Sequence, residues 1–337
     1  MVRSEPLAEV VRGQVVESVH LGDIAVVDRS GNLLYHTGDP HRVTYMRSSA
    51  KPLQAIPYVE MSGRLRFGLT DTEVAVTCAS HSGEDQHVEA VLSILKKIGL
   101  EESYLKCGTH MPIHGPTARR MWSLGRKSTP VHSNCSGKHA GMLALSVLLG
   151  ADHSEYLDPC GPVQSLILKT ASEMMGAAPE SIKIGIDGCG APVFGVPLSW
   201  MARGWANLSD PSGLCPSRRS AVEDISRSMR GNPYMVAGTG RLSTDLMKAA
   251  GARVLAKSGA EGVYCAALVG RGIGLALKIT DGSSRAMGPI VLSVLEQLGV
   301  LVESDLQVLS GHGRLEVRNF RGDLCGEIRP AVTLTRT

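Results

Sequence analysis

Apolar and polar positions divide this chain into β-rich ends and a middle that is mixed, with much helix. Toward the N-terminus, the runs DIAVVD (23–28) and NLLYHT (32–37) lie on either side of a Ser30–Gly31 turn and predict a β-hairpin. Near the other end, GVYCAALVG (262–270) and GIGLALKIT (272–280) are separated by Arg271 and predict a second hairpin. Between them, GEDQHVEAVLSILKKIGL (83–100) repeats apolar residues at intervals of three and four. Its acids come early and its lysines late, as the helix dipole favours. GKHAGMLALSVLLG (137–150) predicts a more buried helix and VQSLILKTASEMMG (163–176) a third. RAMGPIVLSVLEQLGVL (285–301) has helical spacing despite Gly288–Pro289 near its start. The expectation is one α/β domain over residues 1–337, its mainly antiparallel sheet built from both termini. The helical region is inserted roughly between residues 50 and 255, and a two-domain α/β chain is the alternative.

Composition narrows the function classes. The 337 residues are 43% hydrophobic and 20% charged, which is ordinary for a globular chain with a sizeable core. A net charge of +3, no lysine–arginine run and 4% aromatics leave no phosphate-tracking stripe or base-stacking platform, so no nucleic-acid partner is expected. The first 18 residues hold no signal-peptide-like apolar stretch, and the longest mostly apolar run, 140–151, is too short to span a bilayer. A cytoplasmic protein with no membrane partner is expected, its eight scattered cysteines kept as thiols.

Five stretches carry candidate chemistry. In YMRSSAKP (45–52), Ser48 precedes Lys51 by three positions, and Pro52 fits only near a helix start, so the two side chains are expected on one face. A serine needs such a base to become a nucleophile; the plain alternative is a helix cap beside a solvated lysine. LAKSGAEGVYCAAL (255–268) sets Lys257-Ser258-Gly259 just before a strand. Ser-x-x-Lys followed by Lys-Ser-Gly makes two of the three signatures of penicillin-recognising serine enzymes. In VTCASHSGEDQH (76–87), Ser82 or Gly83 is expected to start a helix, which leaves Ser80 as a second nucleophile candidate. His81 there is a general base or a structural hydrogen-bonder. HSNCSGKHAGML (132–143) places Cys135 and Lys138 at a helix start, and IGIDGCGAPVFGVP (184–197) places Asp187 and Cys189 just after the strand IKIGI (182–186). Two thiolates with a nitrogen or oxygen ligand suit zinc, whereas buried thiols packed against glycine are the structural alternative. VAGTGRLSTD (236–245) has Ser243 where a dinucleotide fingerprint needs its third glycine, and VGRGIGLALK lies in a hairpin; neither predicts nucleotide binding.

RSSAKP, CASHSGE, NCSGKHAGML, DGCGAP and AKSGAEG, in this order over nearly the whole chain, resemble the rhizobial-type (class 3) L-asparaginases of the asparaginase II-like family. The resemblance implies a fold similar to serine β-lactamases and glutaminases, and a cytosolic homodimer that hydrolyses L-asparagine to L-aspartate and ammonia. It pairs Ser48 with Lys51 and Ser80 with a second lysine, here matched to Lys257, as catalytic residues. It makes Cys135, Lys138 and Cys189 ligands of a zinc ion (Zn2+), with water completing the shell. Asp187 is the expected partner of the substrate α-amino group, Lys138 also lies at the substrate site, and Arg47 faces the substrate carboxylate or tunes Lys51. Rival readings are another Ser-Lys hydrolase (a glutaminase, β-lactamase or esterase) and a non-catalytic zinc-binding amino-acid sensor.

Overall fold

A computed structural model describes residues 3–337. The chain falls into two compact units, one of residues up to 49 with 196–210 and 245–337, the other of residues 50–195 with 211–244. The fold is α/β with a mainly antiparallel sheet drawn from both ends of the chain.

In the first unit the sheet runs Leu315–Arg318, Leu324–Pro330, Glu5–Arg12, Val15–Asp28, Ile273–Ile279, Val263–Leu268 and Val254–Gly259, each neighbouring pair antiparallel. Both expected hairpins form. Val15–Asp28 pairs with Leu33–Thr37, Ala25 facing His36, and Val263–Leu268 pairs with Ile273–Ile279, Cys265 facing Ala276. VYCAAL is buried at every position, which is why it reads as a continuous apolar run rather than an alternating one. The helix Leu198–Ser209 belongs to this unit and buries Trp205, whose Nε1–H donates to Ser49 O at 3.2 Å. Lys257-Ser258-Gly259 precedes the hairpin strand Val263–Leu268, as expected, and also lies in a further strand, Val254–Gly259, with Lys257 opposite Cys265.

The second unit is mostly helical. Its longer helices are Lys51–Glu60, Asp71–Thr77, Asp85–Lys97, Gly115–Ser123, Ser136–Leu149, Pro162–Met175 and Pro216–Gly231, so the three helices read from the pattern in this region form within three residues of their expected ends. Ser136–Leu149 is buried through its first eleven residues. Its Gly137 sits so close to Val76 O that an added Cβ would lie 2.0 Å away, so the helix start can approach Asp71–Thr77 only with glycine there. The strand Lys183–Ile186 turns at Asp187–Ala191 into its antiparallel partner beginning at Pro192. Among the described residues no helix is long and apolar enough to cross a membrane.

Candidate active site

Lys51 opens the helix Lys51–Glu60, directly after the 3-10 turn Arg47–Ala50, with Pro52 in the first helical turn where its missing N–H costs nothing. The lysine is only 1% exposed. Its Nζ donates to Ala79 O at 2.6 Å, Ser80 Oγ at 2.9 Å and Asn134 O at 3.3 Å, and it also meets the Cys135 sulfur. Four groups thus surround the one amine. The serine that receives the amine is therefore Ser80, although the sequence spacing had assigned Lys51 to Ser48. Ser80 is itself buried, and its backbone N–H donates to Val236 O at 3.0 Å.

The thiols continue this cluster. Cys135 caps the start of helix Ser136–Leu149, and one turn on, buried Lys138 donates to Cys189 Sγ at 2.9 Å. Cys189 lies on the turn after Lys183–Ile186, 3.8 Å from Asp187 Oδ2. The hydrogen bond between the two thiols, together with Lys51 and Lys138, holds Cys135 well below the ordinary thiol value in spite of its burial. The same bond, and then burial, pushes Cys189 up. One proton is thus shared by two sulfurs, leaving a thiolate at Cys135. Burial pulls the Lys138 ammonium down, but the Cys135 and Cys189 sulfurs raise it by more. The result is a buried row of alternating character: Lys138, Cys189, Cys135, Lys51, Ser80. Among the described residues no three His, Cys, Asp or Glu side chains converge as a metal site; the Cys135–Lys138–Cys189 group has two thiols and an amine.

The loop Cys78–Glu84 that carries Ser80 is tied rung by rung to Val236–Thr239. Ser80 N–H meets Val236 O, Ser82 Oγ donates to Ala237 O at 2.8 Å, and Glu84 accepts from Thr239 N at 2.9 Å and Thr239 Oγ1 at 2.7 Å. Ser82 accordingly does not cap the next helix, which begins at Asp85 with Glu84 before it; its hydroxyl is spent across the ladder. Gly238 stands at φ 115°, and a Cβ there would lie 2.5 Å from Ser82 Oγ, so only glycine fits this rung. Burial raises the Glu84 carboxyl, but the Thr239 hydrogen bonds lower it by more.

His81 belongs to the scaffold. Ser136 Oγ donates to Val131 O at 2.8 Å, so it accepts from His81 Nε2–H at 2.8 Å, while His81 Nδ1 accepts Gly83 N–H at 3.1 Å. Both ring nitrogens are engaged, and burial, then His87, keeps the ring neutral. The general-base alternative for His81 is corrected by these bonds. The ladder and the Lys51–Cys135 contact were not foreseen, because their partners lie 84 to 156 positions apart and no short motif joins them.

Arg47, Ser48 and Lys257 belong to the first unit. Arg47 takes a positive φ of 50° and lies 4.0 Å from Glu261, and Ser48 is half-buried in the 3-10 turn. Lys257 is fully buried, and its Nζ donates to Ser258 O at 2.8 Å.

The structure of the protein titled Mglu aligns with 84% of this chain and 68% of its own, at 14% identity and a TM-score of 0.46. Of Mglu in its glutamate form, the chain spans 61%, again at 14% identity and 0.46. A β-lactamase from Mycobacterium bovis aligns with 82% of this chain and 94% of its own, at 13% identity and 0.41. No curated protein matches the sequence. The profile of the family described as L-asparaginase II matches residues 8–330. With all but the two ends of the sequence matched, the chain belongs to the L-asparaginase II family.

Proposed function

We propose that this amidohydrolase is an L-asparaginase of the rhizobial, class 3 type, which converts L-asparagine and water to L-aspartate and ammonia through a serine acyl-enzyme. The observation that carries the reading is the buried amine of Lys51 at 2.9 Å from Ser80 Oγ. Ser80 Oγ attacks the side-chain amide carbon while Lys51, as free amine, takes its proton and passes it to the departing ammonia. Water then adds to the ester carbonyl, aspartate leaves, and Ser80 recovers its hydrogen. Ser48 and Lys257, the remaining members of the two Ser-Lys pairs that the family resemblance gives, are proposed to relay protons. Asp187, half-buried on its turn, receives the substrate α-amino group.

Zinc fits the donor set of Cys135, Lys138 and Cys189: two thiols and an amine converge, and one sulfur is already held as thiolate. The bound ion would supply the charge that keeps both sulfurs ionised and the amine neutral. Its role here is to join the start of helix Ser136–Leu149 to the Asp187 turn and so seat the substrate. Both units are read as parts of one catalytic domain, in a cytoplasmic homodimer. The dimer rests on the family resemblance, and light scattering on the purified chain would return twice its mass.

The deciding experiment is ammonia release from a panel of amino-acid amides, with mass spectrometry of the acylated peptide. L-Asparagine turned over first, with the adduct on Ser80, is expected. Release from L-glutamine or from esters in preference to L-asparagine would move the chain to another Ser-Lys hydrolase. No release from any amide would leave the amino-acid sensor.

A further inference from the structure

We infer that Arg241 is the residue that recognises the substrate carboxylate; this rests on the asparaginase reading above and assigns a substrate-binding group within the second unit. The segment Val236–Thr239 is the one laddered to the Ser80 loop, and Arg241 follows it by two residues. Its guanidinium is half-buried, yet among the described residues it takes part in no hydrogen bond, ion pair or cation–π contact. Burial is the whole of the influence on it and pulls its charge state down, with no anion to offset the loss. An arginine withdrawn from water without a carboxylate is destabilising to the free protein, a state that persists where a ligand anion completes it.

The charge balance of this unit singles it out. Lys51 and Lys138 face Ser80 and the two sulfurs and are committed to them. A zwitterionic amino-acid amide brings one ammonium and one carboxylate. Asp187 can take the first, and Arg241 is the cation left for the second, with a planar fork that matches a carboxylate. Arg47, the arginine singled out in the sequence, already stands 4.0 Å from Glu261.

The test uses the full chain as wild type, Arg241→Gln and Arg241→Lys, with L-asparagine as substrate and L-aspartate as the binding probe. Arg241→Gln is expected to raise KM for L-asparagine roughly 10–100-fold, the range of a lost charged hydrogen bond, with kcat changed far less. Arg241→Lys should fall between the two. Without ligand, Arg241→Gln should melt no lower than wild type, since an uncompensated cation has been removed. The rise in Tm that saturating L-aspartate confers on the wild type should disappear in it. A KM unchanged in Arg241→Gln overturns the inference, as does a lowered Tm with L-aspartate protection retained. Wild type that L-aspartate does not protect overturns it too. Failure of the asparaginase reading shows separately, as no ammonia from L-asparagine in the wild type before any variant is made; the L-aspartate melting comparison still decides Arg241.

Discussion

Lys51 and Lys257 are both lysines buried to within 1% of complete, and both stand beside a serine in a motif of penicillin-recognising type, yet their surroundings differ in kind. Lys51 meets a side-chain hydroxyl at 2.9 Å and a thiolate, groups that exchange protons. Lys257 sits in a β ladder, opposite Cys265, and donates at 2.8 Å to the carbonyl of its own neighbour, which cannot. Burial therefore does not by itself make a lysine a base. What distinguishes the two is the acceptor each amine meets: a serine hydroxyl for Lys51, and for Lys257 a backbone carbonyl with the Cys265 thiol opposite in the ladder.

The largest effect should separate these lysines directly. Lys51→Met, which keeps the volume and removes the amine, is expected to cut kcat by roughly a factor of 10³–10⁴, because base and serine orientation go together. Lys257→Met should cost nearer to 10²-fold, as expected of a relay. Single-turnover kinetics on folded protein would measure both, and equal losses would erase the distinction.

Next in size is the sulfur side of Lys51, where Cys135 hydrogen-bonds to Cys189. Cys189→Ala, or chelation of the wild type, is expected to raise KM for L-asparagine about 10–100-fold with a smaller drop in kcat. Atomic emission should find zinc at one ion per chain in the wild type and almost none in the variant. Metal-free protein with an unaltered KM would remove the seating role, and loss of all turnover in correctly folded apo-protein would make the ion the catalyst instead.

A smaller effect tests how the Ser80 loop is held. Glu84→Ala leaves Thr239 without its acceptor and should lower stability by about 2–3 kcal/mol. Ser82→Ala should cost about 1 kcal/mol. Urea unfolding of the two variants gives both numbers; a Ser82 loss as large as that of Glu84 would mean the rungs are not graded by charge.

The smallest expected effect is a pH dependence of that same loop region. His81 and His87 are held below the ordinary histidine value, mainly by burial, so in the folded state they stay neutral where unfolded imidazoles bind protons. The unfolded chain thus binds more protons below about pH 6.5, and stability that is complete above that pH falls as the pH drops. At pH 5.5 the loss should be at most about 1 kcal/mol for His81, which is held furthest down, and less for His87. A urea midpoint that is flat between pH 7.5 and 5.5 would show that these rings are protonated in the fold.

How much of this was legible in the chain follows from the range of each interaction. The hairpins at residues 23–37 and 262–280 and the helices near 83–100, 137–150 and 163–176 were readable because their signals lie within a few positions of one another. Cys135 and Lys138 at a helix start, and Asp187 and Cys189 after a strand, were legible for the same reason. The partner of Lys51 was not. A Ser-x-x-Lys spacing states which side chains share a helical face, but a flexible four-carbon amine goes to the acceptors that best replace its lost water, and in this fold those are Ala79 O and Ser80 Oγ, 28 and 29 positions away. Likewise, Ser82 read as a cap because capping is the commonest local use of a serine there, until Ala237 O, 155 positions on, claimed its hydroxyl. The sequence by itself determined the elements and the stock of reactive groups, since both depend on chain-local chemistry. Only the tertiary structure decided which groups meet, since that depends on which long-range packing leaves each buried donor an acceptor.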